Sequence, residues 1–362
     1  MIYFENLNKT NSLFIKNFKK NYDMFIQRGQ YILGKNVLNF EKNFAKYIGT
    51  KYCIGVGNGL DALTMALKAL DLPKNSEVIV ASNAYIASVI SIINANLKPI
   101  LCEPDISSYN INTNVLKKKI TKNTKAIMAV HMYGKPCNMR EIKKICNQSN
   151  IFLIEDCSQA HGATFENFFL GTFGDLSCFS FYPTKNLGCL GDGGAILTNS
   201  NLLDKKLRGM RNYGSIRKYY NDIFGQNSRL DEFQACFLNV KLKSLDKINN
   251  HKIRIAKLYD KYLNAKFIKP VINKYEKHVF HIYNIRHPKR DILRKYLKKN
   301  KIQTEIHYPV QPSEQKAYKN MFKVKCLVSK EIHETTLSLP ISYSHKKSEI
   351  LKIIQTLNNF KL

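Results

Sequence analysis

An apolar run, Ile151-Phe152-Leu153-Ile154, ends on two adjacent carboxylates, Glu155 and Asp156. Further on, Lys185 stands inside Ser180-Phe181-Tyr182-Pro183-Thr184-Lys185-Asn186-Leu187-Gly188. A lysine between a proline and a glycine, after an aromatic-rich apolar stretch, is not where a solvated charge is expected. Partly desolvated, such an amine loses proton affinity, condenses with aldehydes and shuttles protons. The plain alternative is a surface lysine in a very basic chain. Asp156 could simply cap the segment that follows its strand. Its other use is as an anion that keeps a cofactor's ring nitrogen protonated, making the ring an electron sink. An amine for an aldehyde and a carboxylate for a ring nitrogen together suit pyridoxal 5'-phosphate (PLP).

Other residues would complete such a site. Gln159 can present its amide to the ring hydroxyl. Gly57-Asn58-Gly59 follows a strand pattern and opens a helix pattern, where free backbone amides and the helix dipole favour an anion. Gly55, Gly57 and Gly59 read GxGxG rather than the GxGxxG of a dinucleotide turn. Ser180 could add a hydroxyl to the same phosphate, and Tyr85 could stack on the ring. Each of these alone is weak, since glycine turns, strand serines and core aromatics are common.

The elements that must position these residues follow from periodicity. Residues 1–50 read as helices, with Phe14, Phe18, Tyr22 and Phe25 at helical spacing as packing residues and 29–34 as a turn or loop. From residue 51 onward short apolar strands (52–56, 77–81, 99–102, 126–130, 151–154) alternate with helices (62–70, 85–95, one near Val115, 139–146). Strands that are apolar throughout and separated by helices predict a mainly parallel sheet covered on both faces. Right-handed crossovers then bring Asn58, Tyr85, Asp156 and Lys185 to one sheet edge. A helix over 202–208 follows, then a long helical pattern from Leu230 that runs into the basic segment 245–263. Strand-like 278–286, a helix over 291–298 and a closing helix from Ser348 complete a smaller α+β part. The division predicted is 1–245 for a large cofactor-binding domain and 246–362 for a small C-terminal domain.

Global properties narrow the class. The chain has 362 residues, an ordinary 44% hydrophobic content and no N-terminal signal pattern. Its best candidate for a span, 85–97, is too short and interrupted by Ser88, Ser91 and Asn94. The expectation is a soluble, cytoplasmic protein without a membrane partner. Nine scattered cysteines without a CxxC pair read as small hydrophobes in a reducing compartment, and no metal site is expected. The net charge of +30 would suit a polyanion such as nucleic acid. Its basic residues are spread along the whole chain, which favours solvated faces and no nucleic-acid partner.

Taken together, these segments resemble the DegT/StrS-type PLP-dependent sugar-nucleotide aminotransferases, of the fold type I architecture. The resemblance runs through 29–34, Asn58-Gly59-Leu60-Asp61-Ala62-Leu63, Val130-His131-Met132-Tyr133-Gly134, Glu155-Asp156-Cys157-Ser158-Gln159-Ala160-His161-Gly162, 179–188, Asn227-Ser228-Arg229-Leu230-Asp231-Glu232 and His307-Tyr308-Pro309. It implies that Lys185 holds PLP and moves the proton, Asp156 pairs with the pyridinium and Gln159 faces the ring oxygen. It further implies Asn58, Gly59 and Ser180 for the phosphate, Tyr85 for stacking, and Tyr182, His307 and Tyr308 near the sugar. Asn227 would reach the neighbouring subunit's cofactor in a homodimer with shared sites. Residues 83–88, 103–111 and 212–215 resemble the branch acting at C3 of dTDP-3-keto-6-deoxyhexoses, with L-glutamate as donor, in synthesis of amino sugars for surface glycans such as O-antigen. The alternatives are a 4-aminotransferase on a UDP-4-keto-6-deoxy sugar and, from another class, an anion-binding protein. Cys157-Ser158 after the aspartate and Ser313 after the HYP segment depart from the commoner family pattern.

Overall fold

In the computed structural model, which describes residues 1–217 and 219–361, a seven-stranded sheet forms the centre of the larger part. Its strands are β1 (Tyr52–Val56), β2 (Glu77–Ala81), β3 (Lys98–Cys102), β4 (Thr124–Val130), β5 (Phe152–Asp156), β6 (Leu176–Ser180) and β7 (Gly194–Thr198), in the order β1-β7-β6-β5-β4-β2-β3. The neighbours from β6 to β3 pair in parallel, whereas β7 runs antiparallel to both β6 and β1. The predicted mainly parallel α/β sheet is therefore found. Strands buried on both faces read as continuous apolar runs, which is why they stood out in the sequence.

One consequence decides the site. The C-terminal ends of β1, β2, β4, β5 and β6 share an edge, and each is followed by a turn into the next element. β1 is fixed by the helix Lys35–Ile48, whose Glu41 is buried. Its carboxylate accepts from the Gly55 amide at 2.8 Å and pairs with Arg208 and Arg211. The aromatic residues near the N-terminus do pack: Phe14 and Phe18 meet Phe237 edge-on.

The apolar core falls into two main clusters. One surrounds the central sheet; the other gathers Tyr259, Phe267, Tyr283, Leu293, Leu337 and Ile353 around a two-stranded antiparallel ladder, β8 (Tyr283–Arg286) with β9 (Thr336–Leu339). The second cluster also takes in Ile2, which bridges to Ile302.

Two expectations need correction. The helical pattern from Leu230 does not run through: Glu232–Leu242 and Leu245–Tyr262 are separate helices. Ser244 (φ −112°, ψ 5°) leaves helical geometry, and its carbonyl accepts from Ile248 to start the second helix. The strand-like run 278–286 is a strand only over Tyr283–Arg286. Before it, the amides of Val279 and Ile282 bond to the carbonyls of Gly134 and Tyr133, with Phe280 at φ 46°. Those amides are spent on a loop of the sheet domain, so no ladder forms there. All nine cysteines are free and buried. Among the described residues no helix is long and apolar enough to cross a membrane.

Candidate active site

Asp156 ends β5, and its buried carboxylate has two donors. Oδ2 accepts from Ser88 Oγ at 2.8 Å and Oδ1 from the Ser158 amide at 3.1 Å. Ser88 belongs to the helix Ile86–Asn94, whose N-cap is Tyr85, so the two residues sit one turn apart. The adjacent Glu155 faces the other side of the strand, as side-chain alternation requires. There it accepts from the amides of Gly171, Phe173 and Gly174, from Ser177 Oγ, and from His131 at 3.2 Å. His131 in turn accepts the Cys137 amide on Nδ1. With Cys157 these two side chains bring their ligand-type atoms within 4.8 Å of one another. A carboxylate already engaged by five donors makes that group an internal staple rather than a metal site.

Lys185 sits in a tight loop. Its amide donates to the Tyr182 carbonyl at 2.8 Å, and a Cβ on Gly188 would fall 2.3 Å from the Pro183 oxygen, which explains the glycine. The amine Nζ lies 3.4 Å from Nε2 of His281. Desolvation pulls the amine's pKa down to about 8, partly opposed by the Asp156 carboxylate. A fraction of the amine is therefore uncharged near neutral pH, as nucleophilic attack requires.

At the start of the helix Gly59–Ala69, Asn58 is the N-cap and its Oδ1 accepts from the Asp61 amide at 2.8 Å. A Cβ on Gly59 would come 2.6 Å from Cβ of Ser180. This close approach brings Asn58, Gly59 and Ser180 to one patch at a helix N-terminus, a place suited to a phosphate.

The opposite wall is built by loops. Gln159 Oε1 takes the Tyr133 amide at 2.6 Å, while its Nε2 donates to the Tyr308 hydroxyl at 3.1 Å. Tyr133 donates its hydroxyl to the His307 carbonyl at 2.5 Å, and His333 donates to the Tyr308 carbonyl at 2.6 Å. The Tyr85 and Tyr308 rings lie 4.8 Å apart. Burial and the nearby Lys185 amine lower His307 to about 4, so its imidazole is neutral in the working range.

Between these walls lies a cavity of about 570 Å³ lined by Asn58, Gly59, Tyr85, Ser88, Asp156, Gln159, Ser180, Tyr182, Lys185, His281, His307 and Tyr308. Every site residue named from the sequence lies there except Asn227. That residue is exposed, outside the cavity lining, in a bridge with Asn212. Its neighbour Ser228 ties the segment to the Asn58 turn by accepting from the Gly57 amide and donating to Asp61. Sequence reasoning missed Ser88 and His281. Ser88 shares a helix face with Tyr85, a spacing that was available; His281 lies in an apolar run with no distinguishing signal.

Residues 14–358 match the DegT/DnrJ/EryC1/StrS aminotransferase family. The chain belongs to this family. It is a PLP-dependent aminotransferase, and the residues in the cavity fit that cofactor: an amine of lowered proton affinity, a doubly held carboxylate and a helix start packed against a serine. A curated relative from Aneurinibacillus thermoaerophilus, dTDP-3-amino-3,6-dideoxy-alpha-D-galactopyranose transaminase, is 44% identical over 361 residues, 99% of either chain. The crystal structure of S. venezuelae DesV with a ketimine intermediate is similar to this aminotransferase with a TM-score of 0.96 at 33% identity, covering 99% of this chain and 97% of that one. NtdA from Bacillus subtilis with bound cofactor PMP has a TM-score of 0.91 at 26% identity, covering 98% of this chain and 84% of that one.

Proposed function

We propose that this aminotransferase moves an amino group from an amino acid, L-glutamate, to C3 of a dTDP-3-keto-6-deoxyhexose, yielding a 3-amino-3,6-dideoxyhexose for surface glycans. One observation carries the reading. A chain alike over 99% of its length to a dTDP-3-amino-3,6-dideoxygalactose transaminase surrounds one cavity with Lys185, Asp156, Tyr182, His307 and Tyr308.

Bound PLP supplies an aldehyde and an electron-withdrawing ring, and the remaining work falls to the protein. Lys185 is the tethering amine and the base that moves the proton at the donor carbon. Asp156, oriented by Ser88 and Ser158, would pair with the ring nitrogen. Asn58, Gly59 and Ser180 would hold the phosphate, Tyr85 would cover the ring, and the Nε2 amide of Gln159, which has a second hydrogen, would serve the ring oxygen. Tyr182, His307 and Tyr308 border the sugar. The donor and the keto sugar use the same cavity in turn, a ping-pong sequence. Asn227, exposed beside the Asn58 turn, reaches the partner subunit's site in a homodimer. The enzyme works in the cytoplasm, where nucleotide sugars are made.

The test is the product. Incubation of the PLP-loaded enzyme with glutamate and dTDP-3-keto-6-deoxyhexoses is expected to give a C3 amine by NMR. No amine from these sugars, with a C4 amine when a UDP-4-keto-6-deoxy sugar is supplied in their place, would replace this reading with the alternative.

A further inference from the structure

Behind the Lys185 loop lies an unusual concentration of buried bases. Lys252, in the helix Leu245–Tyr262, is buried, and its ammonium donates to the Asn186 Oδ1 at 2.7 Å and to the His281 carbonyl at 3.0 Å. Asn186 is the residue next to Lys185, and His281 is the residue whose ring faces the Lys185 amine. One side chain thus ties together both neighbours of the reactive nitrogen. Asn186 is held further by its Nδ2, which donates to Asn249 Oδ1 at 2.8 Å and to the Val279 carbonyl at 3.1 Å.

The protonation of His281 follows from its surroundings. Burial comes first, then the charges of Lys185 and Lys252, then His307 and His161; together they keep the imidazole well below its usual pKa. The groups around Lys185 are His281, His161, His307, Asp156 and, behind the loop, Lys241, Lys252 and Glu5. In the tautomer with its proton on Nδ1, a neutral imidazole 3.4 Å from an amine offers it a lone pair at Nε2. That Nδ1 is buried and has no partner. Among the described residues the contact with the Lys185 amine is thus the ring's one hydrogen bond.

We propose that His281 is the acceptor that orients the free amine of Lys185, and that Lys252 is the positioning residue that fixes His281 and the Lys185 loop in register. An uncharged primary amine has two N–H groups and one lone pair. Giving one N–H to His281 Nε2 turns the lone pair away from the histidine, toward the cavity where the proton must be taken. The inference rests on Lys185 being the amine that carries the cofactor.

The experiment uses the full chain freed of cofactor, with pyridoxal as the probe. The Lys185 nitrogen adds to the aldehyde carbon, and its two hydrogens leave with the aldehyde oxygen as water. The visible absorbance that develops gives the rate, followed from pH 6.5 to 10. In the wild type the rate rises with pH through about 8, where the amine loses its proton. His281→Leu should slow it about tenfold at pH 8, the size of one lost hydrogen bond. It should also move the midpoint down, because an ammonium loses more than an amine when an acceptor is removed. His281→Gln, whose amide oxygen can stand where Nε2 was, should recover the rate to within about threefold of wild type. Lys252→Met should slow the rate as well, since Asn186 and the His281 carbonyl both lose their anchor. A folded His281→Leu variant with wild-type rate and midpoint overturns the proposal. So does a His281→Gln variant as slow as His281→Leu, or a folded Lys252→Met variant with the wild-type rate. If borohydride trapping and peptide mapping place the pyridoxyl group on another lysine in the wild type, the assignment of Lys185 fails and the inference falls with it.

Discussion

The two walls of the cavity are made differently. The wall of strand ends carries Asn58, Asp156, Ser180 and Lys185, each within a few residues of a buried strand, with near-neighbour contacts such as Asn58 to Asp61, Asp156 to Ser158 and Lys185 to Tyr182. The wall of loops carries His281, His307 and Tyr308, and its contacts span the chain: Tyr133 to His307, Gln159 to Tyr308 and Lys252 to Asn186. The first wall can be read from a stretch of sequence. The second exists only once the distant parts of the fold have met. Under the proposed function, the tethering amine and the ring-nitrogen carboxylate sit on the first wall, and His307 and Tyr308 border the sugar on the second.

The largest test of this contrast is on the local wall. Lys185→Ala should leave a folded protein whose turnover falls by at least ~10³-fold, since both the tether and the base are lost; single-turnover proton transfer near the wild-type rate would refute the role. Asp156→Ala comes next, with turnover lower by ~10²–10³ and weaker retention of cofactor colour on dialysis. Glu155→Ala probes the neighbouring carboxylate, which has a structural part only. It should cost ~3–5 kcal/mol of stability by urea denaturation, because five donors lose their acceptor. On the assembled wall, Tyr133→Phe removes the hydroxyl that holds the His307 carbonyl. It should raise KM for the sugar up to tenfold while KM for the amino donor stays put, matching ~1 kcal/mol for one hydrogen bond. An equal rise for both substrates would erase the distinction between the walls. The smallest effect is expected from Ser88→Ala, a loss of cofactor affinity of about threefold from one of the two donors to Asp156.

How far the sequence spoke follows the same line. Continuous apolar strands and their helices were legible because burial on both faces leaves a plain signature, and β1 and β2 match their expected bounds. Asp156 and Lys185 were legible because a charge beside an apolar run contradicts its surroundings. Glu155 contradicts them equally, yet nothing in the sequence says that its partners are three amides of the segment after β5. The break at Ser244 and the irregular path through Phe280 depend on where distant loops spend their hydrogen bonds. His281 was hidden for the same reason: an apolar run looks like a strand whether or not a partner strand is there.

The pairing of Ile2 with Ile302 has a consequence for biosynthesis. A ribosome adding ~5–20 residues per second needs ~15–60 s to reach that partner after Ile2 has been made. Throughout that interval Ile2 has no bridge partner, although Phe237, on which Phe14 and Phe18 pack, is made earlier. The lobe holding both residues is therefore the last to consolidate, and a chaperone meeting the nascent chain would find Ile2 still uncovered.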